Sequence, residues 1–220
     1  MRGGPVFEFV FGIDTLLRQQ GRRERFRLVF FSPSRTPGQR LGEHAVGRIL
    51  GEMQTRGIDA VLGEKPQRFE ANAVQLETSR IEADLIVFMP GLTGQAWLDA
   101  SPLPRSPGGF VQGDAQCRVP GFANTYVAGD GGSFPGPDWM PKQAHQADLH
   151  AEVAARNLLR ELAGQSVSEV FQSELVCIID TLDHGLLVTR NARGARSLPP
   201  LRAMHWVKAA FEKRYLRRYR

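Results

Sequence analysis

The chain has 220 residues, 42% of them hydrophobic, with 28 Lys or Arg against 23 Asp or Glu and a formal net charge of +5. That is enough chain for one large folded domain or two small ones, and it excludes a disordered or low-complexity class. From Leu201 onward seven basic residues face one acidic one, so this segment alone supplies +6 and the remainder is nearly neutral; the basicity is local and points to a surface that the C-terminal segment touches.

Two cysteines, Cys117 and Cys177, exclude a disulfide scaffold, and no Cys/His cluster has zinc-ligand spacing, so no metal is expected and a reducing compartment is. The first residues lack the pattern of a cleavable signal. No apolar run reaches the roughly 18 residues of a spanning helix. The chain therefore reads as soluble or lying on a membrane.

From Pro5 to Gln20, Val6, Phe9, Val10, Ile13, Leu16 and Leu17 recur at helical spacing before Gly21, which predicts an opening helix with that stripe inward. "FRLVFFSP" (26–33) is a continuous apolar run closed by proline, as in a buried parallel strand. "LGEHAVGRILGEMQTRG" predicts a second helix with Leu41, Ala45, Ile49, Leu50 and Met53 on one face, and "IDAVLG" the next strand. Helix, strand, helix, strand is a doubly wound α/β pattern lacking its first strand. "AVQLETSRIEADLIVFMPG" predicts a polar hairpin segment and then an apolar strand, Leu85 to Phe88, whose Pro90-Gly91 ending puts a loop at the sheet's carboxyl edge.

Residues 97–120 are turn-rich, with "SPLPRSPGG" a break before a short strand at Phe110 to Gln112. "TYVAGDGG" then predicts a strand ending in Ala-Gly-Asp, and a helix from Pro141 to about Leu162 follows, its inner face lined by Ala144, Ala147, Ala151, Ala154 and Ala155. Leu175 to Ile179 and Gly185 to Thr189 predict two strands of a small sheet, "NARGARSLPP" a loop, and the last twenty residues a final helix.

Asp130 at a strand end, after the permissive Gly129, can accept hydrogen bonds from the hydroxyls of a polyol. Pro141 suits a first helical position, and the open N–H groups of that turn with Lys142 would stabilise a ring that gains negative charge. An exposed aspartate and an ordinary helix cap are the plainer account of the same residues.

The stretch "NTYVAGDGG" with "MPKQAHQADLHAEVAARNL" resembles the second flavin-binding motif of the pyridine nucleotide-disulfide oxidoreductase superfamily, and "GPVFEFVFGIDTLLRQQGRRERFRLVFFSP" is similar to the sulfide:quinone oxidoreductase and flavocytochrome c sulfide dehydrogenase branch. The likeness runs over nearly the whole chain. It implies FAD as cofactor, with Asp130 on the ribityl chain, Gly129 giving it room, and Pro141, Lys142 and Gln143 at the pyrimidine end of the ring system. It also makes Cys177, in "ELVCIIDT", the C-terminal redox cysteine, whereas the residues alone make it a small apolar side chain between Val176 and Ile178. Cys117 matches no redox position and is read as structural.

Two departures stand out. The branch's partner cysteine falls on Arg2, and nothing matches GxGxxG, so the first dinucleotide domain, which holds the ADP half of FAD, is absent. The expected fold is therefore α/β: an incomplete Rossmann-like three-layer domain over residues 1–107, a C-terminal segment of the FAD-binding domain over 108–165, and a small sheet with a basic amphipathic helix over 166–220.

In the final helix Met204, Val207, Phe211, Tyr215 and Leu216 gather on one side, with Trp206 and Tyr219 at its edges and Lys208, Lys213, Arg214, Arg217, Arg218 and Arg220 over much of the rest. This composition suits the interface of an anionic membrane, a solvated helix docked on its own domain being the alternative. Nucleic acid is not expected, because the aromatics form a stripe.

The reading is an FAD-dependent oxidoreductase, in part, passing electrons from a small-molecule donor such as sulfide to a membrane quinone. It would be cytoplasmic, peripheral on the inner face of the membrane, and partnered by the missing N-terminal FAD-binding half. The alternatives are an NAD(P)H-dependent relative and a catalytically silent domain. The second strand ends at Ser32-Pro33-Ser34-Arg35 with no acidic residue for a ribose, which argues against nicotinamide use.

Overall fold

A computed structural model describes residues 3–217; Arg2, Arg218, Tyr219 and Arg220 lie outside them. The chain divides into two compact units. One takes residues up to Pro90, Val176–Arg190 and those from Ala195 on; the other takes Gly91–Leu175 and Asn191–Gly194.

In the first unit, α1 (Gly3–Gln19) precedes β1 (Leu28–Ser32), α2 (Glu43–Thr55) and β2 (Ile58–Leu62). The strands pair in parallel, Leu28 with Ile58 through Ser32 with Leu62, so β1, α2 and β2 form a βαβ unit. Ala45, Val46, Ile49 and Met53 are the buried face of α2, close to the expected stripe. The buried face of α1 differs from expectation. Phe7, Phe11, Asp14 and Thr15 are inward, while Phe9 and Leu16 are 50% and 46% exposed. A buried carboxylate breaks the apolar periodicity, and three arginines explain how it is tolerated: Arg18, Arg23 and Arg56 reach Asp14 at 2.9, 2.5 and 3.2 Å.

A three-stranded antiparallel meander follows: β3 (Pro66–Phe69), β4 (Ala73–Leu76) and β5 (Arg80–Glu82). Its core, Val74, Leu76 and Ile81, packs under Val29, Phe31, Val61 and Ile86. The expected strand at Leu85–Phe88 does not form. The segment makes no ladder among the described residues, and Leu85 and Val87 are 77% and 55% exposed. Hydrophobicity marked the segment as extended, but a strand also needs a neighbour to bond to.

The same unit carries all but the end residues Leu175, Asn191 and Gly194 of β8 (Leu175–Asp180), β9 (Gly185–Asn191) and β10 (Gly194–Ser197), in the order β10-β9-β8, then α4 (Arg202–Leu216). Part of the expected loop 191–200 is thus a strand, its turn residues Asn191 to Arg193 serving the reversal.

The second unit is sparse in regular structure. Two-residue strands β6 (Val111–Gln112) and β7 (Gly132–Ser133) pair in parallel, and α3 (Ala144–Leu162) is its one long helix among the described residues. Its core holds Cys117, Val153 and Phe171 with Tyr126, Phe134, Met140 and Ala154 around them.

Candidate functional site

The Ala-Gly-Asp stretch is not the end of a strand. Tyr126 makes a single antiparallel bridge with Arg118, and Gly129–Gly131 form one turn of 3-10 helix. The helix begins at Ala144, so Pro141, Lys142 and Gln143 lead into α3 as an extended segment, with Gln143 at φ −153°. The reason is local: the cap residue must leave helical geometry before the first turn, and Pro141 lies too far upstream to be that turn's first residue.

The structure does bring this loop and the helix start together. Gly129 has φ +65°, a conformation that favours glycine, and a Cβ there would come 3.1 Å from Ala147 Cβ. A side chain at this position would therefore meet the first turn of α3. Lys142 Nζ donates to the Asp130 carbonyl at 3.0 Å and to the Gly132 carbonyl, and it lies 3.9 Å from the centroid of the Phe110 ring. Its charge holds the turn and stays beside Asp130. Gln143 adds a buried Nε2 that meets no acceptor among the described residues.

The inner face of α3 is polar where alanines were expected. Gln146, His150, Val153 and Asn157 are buried, whereas Ala144, Ala151 and Ala155 are exposed. Gln146 Oε1 accepts the Glu174 N–H at 2.9 Å, which fixes its Nε2 as donor to the Gln172 carbonyl and to His150 Nε2. His150 is therefore the neutral tautomer with its proton on Nδ1, and that atom meets no acceptor among the described residues. Its ring lies against Phe134 and Phe171, at 4.0 and 4.4 Å between centroids. Burial, aided by Lys142, pulls its pKa down to about 4. Asn157 bridges the Gln116 and Glu169 carbonyls and accepts the Glu169 N–H. The 146-150-153-157 spacing is a helical face that would have been visible had amides and imidazole been counted as buriable.

Cys177 belongs to the other unit, on β8, where a Cβ added to Gly4 would come 3.6 Å from its Sγ. Glu8, one turn further along α1, accepts the Asp180 N–H at 2.9 Å and the Lys208 ammonium, so α1, β8 and α4 meet around this thiol. Burial pushes the Cys177 thiol up to about 11; Glu8 adds to the rise and Lys208 opposes it. Sequence reasoning missed Glu8 and placed Lys208 only on the basic side of the final helix; the two lie 200 residues apart. Cys117 is fully buried in the other core, with its thiol up to about 12 from burial and Asp114.

No family model matches the chain. Among solved structures it is similar to the sulfide:quinone oxidoreductase from the hyperthermophilic bacterium Aquifex aeolicus, with a TM-score of 0.84 and 19% identity over 97% of this chain and 54% of that one. It is also similar to a chain in the cryo-EM structure of the Tetrahymena thermophila mitochondrial ATP synthase F1Fo tetramer, with a TM-score of 0.62 and 14% identity over 82% of this chain and 45% of that one. The chain thus spans about half the length of the structures it resembles. The first likeness establishes the fold as an α/β fold of the FAD/NAD(P)-binding type.

Proposed function

We propose that the chain is part of a flavoprotein oxidoreductase that binds FAD at the junction of the Gly129–Gly131 turn and the start of α3. The observation that carries this reading is the convergence of Asp130, Lys142 and Gln143 in one unit, tied by Lys142 to the Asp130 carbonyl at 3.0 Å. The residues fit the group: Gln143 Nε2 is a buried donor awaiting an acceptor, and the open N–H groups at the start of α3 favour an electron-rich ring edge. Gly129, Asp130, Pro141, Lys142 and Gln143 would hold the cofactor. FAD, when bound, supplies the electron-transfer chemistry. The chain's own part is electrostatic: Lys142 keeps a positive charge beside the turn, and the fixed donors need no reorganisation.

In this reading Cys177 carries any covalent step. Its thiol rests protonated, so a base must take its proton before it can attack. The donor is a small reduced species such as sulfide and the acceptor a membrane quinone. On α4, Trp206, Phe211 and Leu216 are 71%, 61% and 57% exposed beside Arg202, Lys213 and Arg214, a composition that suits the inner, anionic face of a membrane. Among the described residues no helix is long and apolar enough to cross one.

The test is a flavin fluorescence titration of the purified chain. Saturable quenching is expected, with Asp130→Ala binding about 10- to 100-fold more weakly, the cost of losing hydrogen bonds to a charged acceptor. A wild-type chain that leaves free FAD unquenched at every concentration refutes the flavin reading and favours a catalytically silent domain.

A further inference from the structure

We infer that His150 is an acid-operated latch in the second unit: protonation of its ring breaks the contact with Gln146 and releases from α3 the segment that carries Phe171 and Glu174, while the Asn157 end of the helix stays closed. The latch is built from this unit's own side chains and stands whether or not a flavin binds.

The contact is specific to a neutral ring. Gln146 Oε1 accepts the Glu174 N–H at 2.9 Å, so the amide cannot turn over, and its Nε2 is a donor to the Gln172 carbonyl and to His150 Nε2, at 3.2 and 3.0 Å. A protonated His150 carries N–H on both nitrogens. Its Nε2–H would face the Gln146 donor, and its Nδ1–H meets no acceptor among the described residues. Phe134 and Phe171, with centroids 4.0 and 4.4 Å from that of the imidazole, offer a cation their π electrons but no acceptor. The residue is 3% exposed, so solvent does not make up the loss. The closed arrangement therefore has no place for an imidazolium.

The packed elements bring no counter-charge to the ring. Lys142, which leads into α3, opposes a charge there. On α3, His145 is paired with Glu174 at 3.2 Å and Glu152 with Arg156. Glu169, on the facing segment, lies 3.9 Å from Arg156 and from Arg160. Beside Phe171, Asp114 accepts the Gln116 and Arg118 N–H groups. Asp130 in the turn and Asp148 on α3 make no hydrogen bond to either ring nitrogen.

What opens is bounded. Asn157, about two turns further along α3, holds the Gln116 and Glu169 carbonyls and the Glu169 N–H with an amide that does not titrate. Phe134 lies over Gly113 and Gly132, where a Cβ would collide with its ring, so release of the imidazole also loosens the β6-β7 pair. An opened ring takes its proton at 6.5 and the closed one at about 4, so the latch holds above the first value and weakens as pH falls toward the second. From pH 7.5 to pH 5 the opening constant should rise about 30-fold.

Amide hydrogen exchange on the intact chain, corrected for its intrinsic pH dependence, provides the test. The Glu174 amide should lose about 30-fold in protection between pH 7.5 and pH 5. At pH 5 it should exchange faster than the Glu169 amide, at a rate that low urea leaves unchanged, as in a local opening. His150→Phe fills the same aromatic site without a titrating ring and should leave Glu174 equally protected at both pH values. Gln146→Glu keeps an acceptor for the Glu174 N–H and gives the imidazolium one as well, so it should hold the segment closed at pH 5. Unchanged Glu174 protection in the wild-type chain overturns the inference, as does an equal loss in His150→Phe. Exchange of Glu174 that urea accelerates in step with the slowest amides of the unit also overturns it, because acid then unfolds the whole unit. Should His150→Phe fail to fold, Gln146→Glu decides, and an undiminished acid response in that variant overturns the latch.

Discussion

Burial around β8 holds the Cys177 thiol well above its ordinary value, and this sets the pH at which it can react. Desolvation is the main cause, with the nearby Glu8 carboxylate raising the pKa further and Lys208 pulling against both. Alkylation of the folded chain by iodoacetamide should therefore accelerate with pH around a midpoint near 11, above the ordinary thiol value of about 8.5. Glu8→Gln should lower that midpoint and Lys208→Met should raise it. A folded protein that alkylates with an ordinary thiol midpoint contradicts the buried setting. Cys117 should stay unlabelled until unfolding, because it is 0% exposed.

At the scale of elements, the Gly129–Gly131 turn and α3 are fitted to one another at a single close approach. Gly129→Ala would combine a left-handed φ of +65° with a new Cβ 3.1 Å from Ala147. The expected loss is about 1–2 kcal/mol, mostly from the backbone conformation, read as a lower denaturant midpoint with an unchanged slope. A neutral outcome would mean that the turn and α3 are not held together as described. The polar face of α3 works at the same scale: Gln146 and Asn157 satisfy backbone groups of segments 116 and 169–174 that no strand pairs, so the helix substitutes for a sheet in a unit with little regular structure.

At the scale of the molecule, one ion cluster joins distant parts of the first unit. Asp14, 0% exposed, is held by Arg18, Arg23 and Arg56, and Arg56 continues to Glu52 and Asp183. Burial alone would raise the Asp14 pKa, but hydrogen bonds from the arginines outweigh it and the net shift is downward. Asp183 likewise overcomes burial through Thr181 and Arg56 and falls to about 2. Depressed carboxylates stabilise the fold above their unfolded pKa of about 4, and that stability is lost as pH falls toward the folded value. His150, depressed from 6.5 to about 4, acts in the same direction from a higher pH, since the unfolded chain takes up its proton first. The stability of the chain should thus decline below about pH 6.5 and again below about pH 4. Asp14→Ala leaves three arginines around an uncompensated site and should cost about 3–5 kcal/mol at neutral pH in chemical denaturation. A cost under about 1 kcal/mol would mean that the cluster is solvated.

The elements that the sequence alone determined are those whose signal is local. The run through Phe30 and Phe31, the stripe Ala45, Ile49 and Met53, and the strand from Ile58 each carry their own periodicity, and the basic segment after Leu201 carries its own charge. Tertiary structure decided what depends on a distant partner. Asp14 is buried because Arg56 meets it from just past the end of α2, Glu8 reaches the Cys177 thiol's surroundings across more than 160 residues, and β10 forms because β9 accepts it. Segment 85–88 is the converse case, apolar enough for a strand yet unbonded, because a strand is a relation between two backbones and a single stretch of chain encodes one of them.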